Sequence, residues 1–143
     1  MTATTGYFIE DLKLGTSASF TKTVTAADIE TFASLSGDTN PVHLDQAYAE
    51  TTPFKARIAH GMLSVGFISA VLGTKLPGPG AVYMSQTLRF KAPVKIGDTV
   101  TATCTVTELI AEKRRAILST ICKVGDTVVI EGEAMVMVPS RGK

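Results

Sequence analysis

Hydrophobic residues follow two different periods along this chain, and each period predicts a different kind of element. Residues 17–25 and 99–107 alternate apolar and polar side chains, which is typical of strands with one buried face. Residues 61–75 instead carry apolar side chains on nearly every side, which predicts a buried helix. The Pro-Gly-Pro-Gly run at 77–80 would end this helix.

A shorter helix is predicted ahead of the long one. Thr25 suits the N-cap position, and Asp28 suits the acidic partner of a capping box. Gly37 is placed to end this helix. Its apolar stripe would consist of Ile29, Phe32, Ala33 and Leu35. A further short helix is expected at 45–50, after a turn that Pro41 stiffens.

The second half of the chain is predicted to be β structure. Residues 81–91 alternate with one interruption, at Gln86. Their alternating apolar set is Val82, Met84, Leu88 and Phe90. The charged residues 112–114 indicate a hairpin tip. Folding about this tip would pair Cys104 with Cys122 and Val106 with Thr120.

Gly125 and Asp126 suggest a second hairpin, whose register can be derived from the pattern. A two-residue loop would bring Glu131 and Glu133 to the core face, because a slip of one residue inverts the faces of a strand. A three-residue loop that includes Thr127 brings apolar residues there, so we predict the longer loop. The resulting pairs are Ile130 with Cys122, Gly132 with Thr120, Ala134 with Leu118, and Val136 with Ala116.

Together these elements predict an α+β fold in which an antiparallel sheet wraps around a long central helix. The helix would be followed by a meander of four strands, and the strand at 17–25 would complete the sheet. With 143 residues, the chain (1–143) is expected to form a single domain. The part of the helix that the sheet leaves open would need a partner subunit, so a symmetric dimer is expected.

Composition narrows the functional classes. Hydrophobic residues make up 45% of the chain and charged residues 19%, which argues against disorder. A net charge of +1 without a basic run argues against nucleic-acid binding. No secretion leader is recognised, and the apolar run at 61–76 is too short to span a bilayer. Cys104 and Cys122 lack metal-ligand spacing and are expected to be buried, reduced thiols, so a cytoplasmic protein without membrane partners is expected.

Residues 36–43 (Ser-Gly-Asp-Thr-Asn-Pro-Val-His) concentrate proton-handling groups. Asp38 and His43 lie five residues apart across a stiff turn, so a carboxylate and a neutral imidazole would together hold and activate one water. The same stretch is also ordinary turn chemistry, in which Asp and Asn side chains bond nearby backbone groups. The residues alone leave both interpretations open.

Two positions of the long helix are candidates for substrate binding. Gly61 heads the helix, where backbone N–H groups lack partners and the absence of a Cβ lets a ligand oxygen approach. A tight entry into the helix would explain the same glycine. Ser69 lies a little over two helical turns further on. It either bonds the Val65 carbonyl, as helical serines commonly do, or steers His43 or a substrate group.

Residues 36–43, followed by the Ala59-His60-Gly61-Met62 helix start, resemble the hydratase signature of the MaoC dehydratase-like family. Residues 90–98 also resemble a later strand-and-turn stretch of such proteins, and the likeness covers most of the chain. It is closest to the single-domain (R)-specific enoyl-CoA hydratases. The resemblance implies a hotdog fold, a homodimer, and reversible syn hydration of a trans-2-enoyl-CoA to the (R)-3-hydroxyacyl-CoA.

The resemblance also implies roles for individual residues. Asp38 and His43 would be the catalytic pair, Gly61 would supply an oxyanion N–H, and Ser69 would be an auxiliary polar residue in the same pocket. Leu72 is expected either in the wall of the acyl pocket or in the plain core. Because the coenzyme A thioester is the substrate, no cofactor and no metal are expected.

Several alternatives stay open at this point. Within enzymes they are a 3-hydroxyacyl-[acyl-carrier-protein] dehydratase and a hotdog acyl-CoA thioesterase. Outside enzymes the alternative is a non-catalytic acyl-CoA-binding subunit. The pathway, whether polyester precursor supply or β-oxidation, is also open. Three cations are candidates either for coenzyme A phosphates or for plain surface charges: Arg57, Arg89 and Lys91.

Overall fold

The computed structural model describes residues 5–142. Its helices are α1 (Ala26–Ser36), α2 (Pro41–Leu44), α3 (Gln46–Glu50) and α4 (Gly61–Thr74). Its strands are β1 (Ser17–Thr23), β2 (Val82–Phe90), β3 (Thr99–Ile110), β4 (Arg115–Val124) and β5 (Thr127–Met137). Within residues 5–142, no helix combines the length and the apolar character needed to cross a membrane.

The strands form one antiparallel sheet in the order β1-β3-β4-β5-β2. The predicted four-strand meander is therefore wrong, because β2 pairs with β5 at one edge and not with β3. The segment between β2 and β3 explains the difference, since it crosses the molecule. Ala59 N–H donates to the Val94 carbonyl at 2.7 Å, and Gly97 and Asp98 exchange hydrogen bonds with Val24 beside β1. The chain is thus carried from one edge of the sheet toward the other.

The register predicted for the β4–β5 hairpin is confirmed, although the predicted loop is wrong. All four predicted pairs form. Val124 pairs with Thr127, so the loop has only two residues, and Gly125 has the positive φ of 59° that tight hairpin turns require. Val129 is an extra residue in β5, and this β-bulge restores the faces that a two-residue loop would have inverted.

The β3–β4 register differs from the prediction by two residues. Cys104 pairs with Thr120, not with Cys122, and Val106 pairs with Leu118. The loop spans 111–114, and Thr107 is an extra residue in β3, which together produce the shift. Because the shift is even, the faces are unchanged and the apolar positions of β3 stay buried.

The sheet curves around α4, which confirms the predicted hotdog architecture. Val65, Ile68, Val71 and Leu72 of α4 are buried in the core against the inner face of the sheet. The opposite side of α4 is not covered. The exposed stripe of α4 consists of Met62, Gly66, Ser69 and Gly73. The helix is therefore buried on one side only within the protomer.

The apolar sets predicted for α1 and β2 are partly exposed. Leu35 is 83% exposed, so its predicted place in the stripe of α1 is wrong. In β2 an irregularity at Met84 shifts the pairing with β5. Tyr83 pairs with the core residue Val136 and is 39% exposed, which is less than Val82 at 54% and Met84 at 44%. The bulge therefore turns the N-terminal half of β2 over relative to the sequence pattern.

Gln86 interrupts the apolar pattern of β2 because its amide has partners inside the sheet. Its Nε2 donates to the Thr120 hydroxyl and to the Thr87 carbonyl, both at 2.8 Å, and its Oε1 accepts from the Tyr83 hydroxyl. Gly132 leaves room for this network, since a Cβ there would lie 1.8 Å from the Thr87 carbonyl oxygen. A half-buried amide with partners on both ends avoids the cost of an unpaired polar group.

The prediction of buried, reduced thiols is confirmed. Cys104 and Cys122 are both free and fully buried. Burial raises the pKa of Cys104 to about 12, with the Cys122 thiol adding to the effect, and raises the pKa of Cys122 to about 11. Both side chains are therefore uncharged thiols that pack as small apolar groups in the core.

Candidate active site

The end of α1 sets the position of Asp38. The helix begins with the predicted capping box, in which the Thr25 hydroxyl accepts from the Asp28 N–H at 3.1 Å and the Asp28 carboxylate accepts from the Thr25 N–H at 2.9 Å. It ends at Gly37, whose φ of 83° reverses the chain direction. The Asp38 N–H then donates to the Ser36 hydroxyl at 3.1 Å. Asp38 therefore leaves the helix end in a defined direction.

The stretch from 38 to 43 is more regular than the predicted turn. Asp38 Oδ1 accepts from the Asn40 N–H at 3.2 Å, and Asn40 Oδ1 accepts from the Val42 N–H at 3.1 Å. Asn40 is the N-cap and Pro41 the first residue of α2, a position where the fixed φ of proline suits a helix. His43 lies in this single helical turn and is 8% exposed. The hydrogen bonds of an ordinary turn and the placement of Asp38 and His43 near each other therefore occur together in this segment.

One hydrogen bond assigns the proton on the His43 ring. Its Nδ1 lies 2.8 Å from the Ile58 carbonyl oxygen. A carbonyl can only accept, so Nδ1 carries the proton and Nε2 keeps a lone pair in the neutral ring. His43 Nε2 lies 3.9 Å from Asp38 Oδ2. A carboxylate and an imidazole lone pair, both acceptors, thus face one space that a single water with hydrogen bonds of about 2.8 Å can fill.

His60 joins this pair to the start of α4, a role that its sequence context did not predict. Its Nε2 lies 2.9 Å from the backbone oxygen of Asp38, so Nε2 carries the proton. Its ring stacks on the His43 ring, with centroids 3.8 Å apart, and also lies 4.8 Å from the Phe32 ring. The available signal was its place next to Gly61 and the presence of only two histidines in the chain.

Gly61 is the first residue of α4 and lines a cleft of about 300 Å³. The cleft wall is mostly apolar and includes Phe54, Ile58, Phe90, Pro93 and Ile130. The Phe90 ring lies against Gly61, where a Cβ would come within 2.5 Å of it. Two buried polar atoms of this cleft, His60 Nδ1 and Ser64 Oγ, have no hydrogen-bond partner within the described part of the chain.

Ser69 and Leu72 do not line the cleft that contains Gly61. They lie in a second, smaller cleft of about 70 Å³, together with Tyr83 and Val136. Leu72 is 2% exposed and also belongs to the hydrophobic core. The predicted bond from Ser69 to the Val65 carbonyl does not form among the described residues. A pocket shared by Gly61 and Ser69 is therefore not formed by the protomer itself, and the roles of Ser69 and Leu72 stay predictions.

Asp38, His43 and His60 also have the composition of a metal-binding cluster. Each offers one ligand atom, and these atoms lie within 4.8 Å of one another. Each histidine, however, already donates from one ring nitrogen to a carbonyl. A cation would have to take the remaining lone pairs, including the His43 Nε2 that faces the carboxylate. Function without a metal stays a prediction.

Arg89 and Lys91, the other two candidate cations, differ in their environment from Arg57. Lys91 pairs with Glu131 at 3.4 Å, with both side chains almost half exposed, and Arg89 is exposed. The Arg57 side chain is only 14% exposed, because it lies beneath α2. Of the two alternatives for Arg57, the solvated surface charge is therefore wrong, and a contact with a coenzyme A phosphate stays a prediction.

A curved sheet around a helix, with an acid–base pair beside the N-terminus of that helix, defines a hotdog-fold protein with a candidate catalytic site. The MaoC like domain matches residues 12–131, and the chain belongs to this family.

Relatives of the chain cover almost its whole length. It is 64% identical to an (R)-specific enoyl-CoA hydratase of Rhodospirillum rubrum, over 95% of this chain and 94% of the relative. It is 54% identical to a 3-hydroxybutyryl-CoA dehydratase of Methylorubrum extorquens, over 94% of this chain and 85% of the relative. Among solved structures, the unliganded R-hydratase PhaJ1 of Pseudomonas aeruginosa superposes with a TM-score of 0.90 at 45% identity, covering 95% of this chain and 88% of that one. The (R)-hydratase of Aeromonas caviae gives 0.88 at 44% identity, covering 91% and 99%.

The site geometry predicts that the two histidines are opposite tautomers. In ¹⁵N-labelled protein, at a pH where both rings are neutral, we expect the proton of His43 on Nδ1 and that of His60 on Nε2, because each faces a carbonyl. Long-range ¹H–¹⁵N correlation spectra distinguish the two forms. A His60→Gln variant assigns the signals. A proton on Nε2 of His43 would remove the lone pair on which the water-binding geometry depends.

Proposed function

We propose that this protein is an (R)-specific enoyl-CoA hydratase, which adds water reversibly to a trans-2-enoyl-CoA to give the (R)-3-hydroxyacyl-CoA. The observation that carries the proposal is the convergence of two proton acceptors, Asp38 Oδ2 and His43 Nε2, 3.9 Å apart on fixed backbone. A hydratase needs such an arrangement, because water must lose a proton as its oxygen attacks carbon. The names of the two curated relatives support the same reaction.

The proton balance follows from the two acceptors. One water donates hydrogen bonds to the Asp38 carboxylate and to His43 Nε2. As its oxygen bonds to C3 of the enoyl group, Asp38 takes a proton from the water as the main general base. His43 holds the water by a hydrogen bond and takes part in the proton transfer. The Asp38–His43 pair then returns the proton taken from the water to C2 on the same side, so that the elements of one water have been added and both groups regain their starting protonation. Delivery of both from one face gives syn addition and a single enantiomer.

Gly61 supplies the electrophilic half of the site. The thioester oxygen is proposed to accept from the Gly61 N–H, where the first N–H groups of α4 lack intrahelical partners. Negative charge that develops on this oxygen as C3 is attacked is stabilised by the N–H and by the helix dipole. Such a donor contributes roughly 3–4 kcal/mol in other acyl-transfer sites.

The remaining requirements are modest. All groups in the proposed reaction belong to the protein or to the substrate, so neither a cofactor nor a metal is required. The buried thiols Cys104 and Cys122 support a reducing compartment, which for this protein we take to be the cytoplasm.

Dehydration of acyl-carrier-protein substrates is the second candidate function, since it uses the same chemistry. The two curated relatives above are named for coenzyme A substrates, which favours the hydratase.

Replacing Asp38 by Asn is expected to lower the rate of crotonyl-CoA hydration by about a hundredfold or more, because an amide cannot accept the water proton. Loss of enoyl absorbance measures the rate, and a thiol reagent measures thioester cleavage in the same sample. Asp126→Asn, the same change in an exposed hairpin loop, is the control and should match the unaltered protein. EDTA treatment should leave the rate unchanged. Thiol release without hydration, or near-normal turnover by Asp38→Asn, would contradict the mechanism.

The acyl chain is proposed to run along the exposed stripe of α4. From a thioester at Gly61, the stripe leads to Ser69 over about 12 Å, at 1.5 Å per helical residue. Gly66 lies between them. Apart from its chain neighbours and the backbone of its own helix, no atom of the described residues lies within 4 Å of the place where its Cβ would be. The path ends at the small cleft beside Ser69 and Leu72, which would limit chain length.

Leu72→Ala is therefore expected to shift the substrate preference toward longer enoyl-CoA chains, because it enlarges the end of this path. Hydration rates with substrates of increasing chain length measure the shift. Leu118→Ala is the matched control, since it removes the same atoms from an equally buried site outside the cleft. Both variants should lose stability, by about 2–5 kcal/mol. An unchanged preference in Leu72→Ala would exclude this residue from the acyl pocket.

A symmetric dimer is proposed because the protomer leaves this path open to solvent. The exposed stripe of α4 adjoins edge strand β2 at the small cleft, which Ser69 and Tyr83 both line. In this strand Val82, Tyr83 and Met84 are all more than a third exposed. A long edge strand with apolar side chains is a surface that proteins normally cover. A second copy would cover both features and close the acyl path.

Analytical ultracentrifugation should thus give twice the 15.1 kDa mass of the chain. Met84→Glu is expected to lower the observed mass, because it places a charge on the proposed contact. Leu35→Glu is the control, since Leu35 is an equally apolar residue that is 83% exposed on α1, outside the proposed contact. A monomeric unaltered protein at micromolar concentration would contradict the dimer.

A further inference from the structure

We propose that Arg57 is a positioning residue that holds His43 in its working orientation, an inference that rests on the function proposed above. Arg57 Nε–H donates to the backbone carbonyl of His43 at 2.7 Å. The bond closes the C-terminal end of α2, where carbonyl groups lack intrahelical partners. No other described side chain donates to this carbonyl.

The neighbouring residue holds the other parts of the same turn. The Ile58 N–H donates to the Val42 carbonyl at 3.3 Å, and the Ile58 carbonyl accepts from His43 Nδ1 at 2.8 Å. Residues 57 and 58 thus hold α2 by two backbone carbonyls and one ring nitrogen. The ring bond decides both the tautomer and the direction of the Nε2 lone pair. Because Arg57 and Ile58 are adjacent, loss of the bond from Arg57 to the His43 carbonyl would shift the Ile58 carbonyl that accepts from His43 Nδ1.

Burial distinguishes Arg57 from a surface charge. Its side chain is 14% exposed, and its terminal NH2 nitrogen is buried without a hydrogen-bond partner among the described residues. The nearest carboxylate oxygen, on Glu30, is 3.8 Å away, and the Glu30 side chain is 63% exposed. An ion pair of this length and exposure contributes little to stability. The short bond to His43 is therefore the main specific contact that the guanidinium makes.

The consequence for catalysis is geometric. A helix of four residues does not hold its shape alone, because isolated helices need many more residues to form. Without the guanidinium, the His43 carbonyl loses its partner and the last turn of α2 can loosen. The His43 lone pair then moves relative to Asp38, and a displacement of about 1 Å in such a site can lower the rate by about a hundredfold.

Arg57→Gln and Arg57→Lys test the proposal with two readouts. The first is the His43 Nδ1–H resonance, whose shift and exchange rate report its bond to Ile58 and do not depend on activity. The second is kcat and KM for crotonyl-CoA hydration. In Arg57→Gln we expect faster exchange of Nδ1–H and a kcat lowered by about 10- to 100-fold, with KM changed less than about threefold. Arg57→Lys keeps a donor and a charge and should recover most of both losses.

Glu30→Gln is the matched control and should change neither readout, since it removes only the long ion pair. The proposal is overturned if Arg57→Gln keeps the His43 signal unchanged, or if the signal changes while kcat does not. It is also overturned if Arg57→Lys behaves as Arg57→Gln. If Arg57→Gln fails to fold, the comparison of Arg57→Lys with the unaltered protein decides, with a smaller change of the same kind expected. A protein that lacks hydratase activity would fail the proposed function only, because the resonance still tests the positioning.

Discussion

The hydrogen bond from His60 to the backbone of Asp38 connects the candidate catalytic residues to the hydrophobic core. His60 directly precedes the first residue of α4, and its ring also lies against His43. The Asp38 carboxylate and the His43 imidazole are therefore positioned relative to the start of α4, and not only by contacts within their own short segment. The position of α4 is in turn fixed by Ile68 and Val71, which are completely buried inside the sheet. The hydrophobic effect has no preferred direction, but it fixes α4 in the core. Through His60, α4 then defines the positions of two groups whose hydrogen bonds are directional.

The segment that carries the acid–base pair has little stability of its own. Helices α2 and α3 have four and five residues, and caps from Asn40 and Asp45 satisfy their first N–H groups. The contacts from Arg57, Ile58 and His60 come from the chain that leads into α4. The site is thus built where two parts of the chain, some twenty residues apart, support each other. This arrangement lets polar residues lie in a defined geometry without a long regular element to carry them.

The long helix has two different sides, which explains why its sequence is apolar almost all round. One side is covered by the sheet of its own protomer. The other carries small residues, Gly66, Ser69 and Gly73, and remains exposed beside the edge strand β2. Small residues on such a side leave space next to the helix axis, and in the proposed function this space takes the acyl chain and the partner subunit. The uniform apolar pattern of α4 therefore does not distinguish the side that is buried against its own sheet from the side proposed to be covered by the acyl chain and the partner subunit.

Features that depend on neighbours a few residues apart could be predicted from the amino-acid sequence. These include the Thr25–Asp28 capping box, the end of α1 at Gly37, the start of α4 at Gly61 and the alternation of β3, all of which the structure confirms. The hotdog architecture could be predicted from these elements and from the family resemblance, and the local motif predicted Asp38 and His43 as the candidate catalytic pair. Other features could not be predicted in this way: the strand order, the bulges at Met84, Thr107 and Val129, and the partners of Gln86. The contacts of His60 and Arg57, and the separation of Ser69 from the cleft of Gly61, also depend on the tertiary structure. These features depend on contacts between segments distant along the chain, whose energies are set by the packing of the whole fold and leave no periodic signal in either segment.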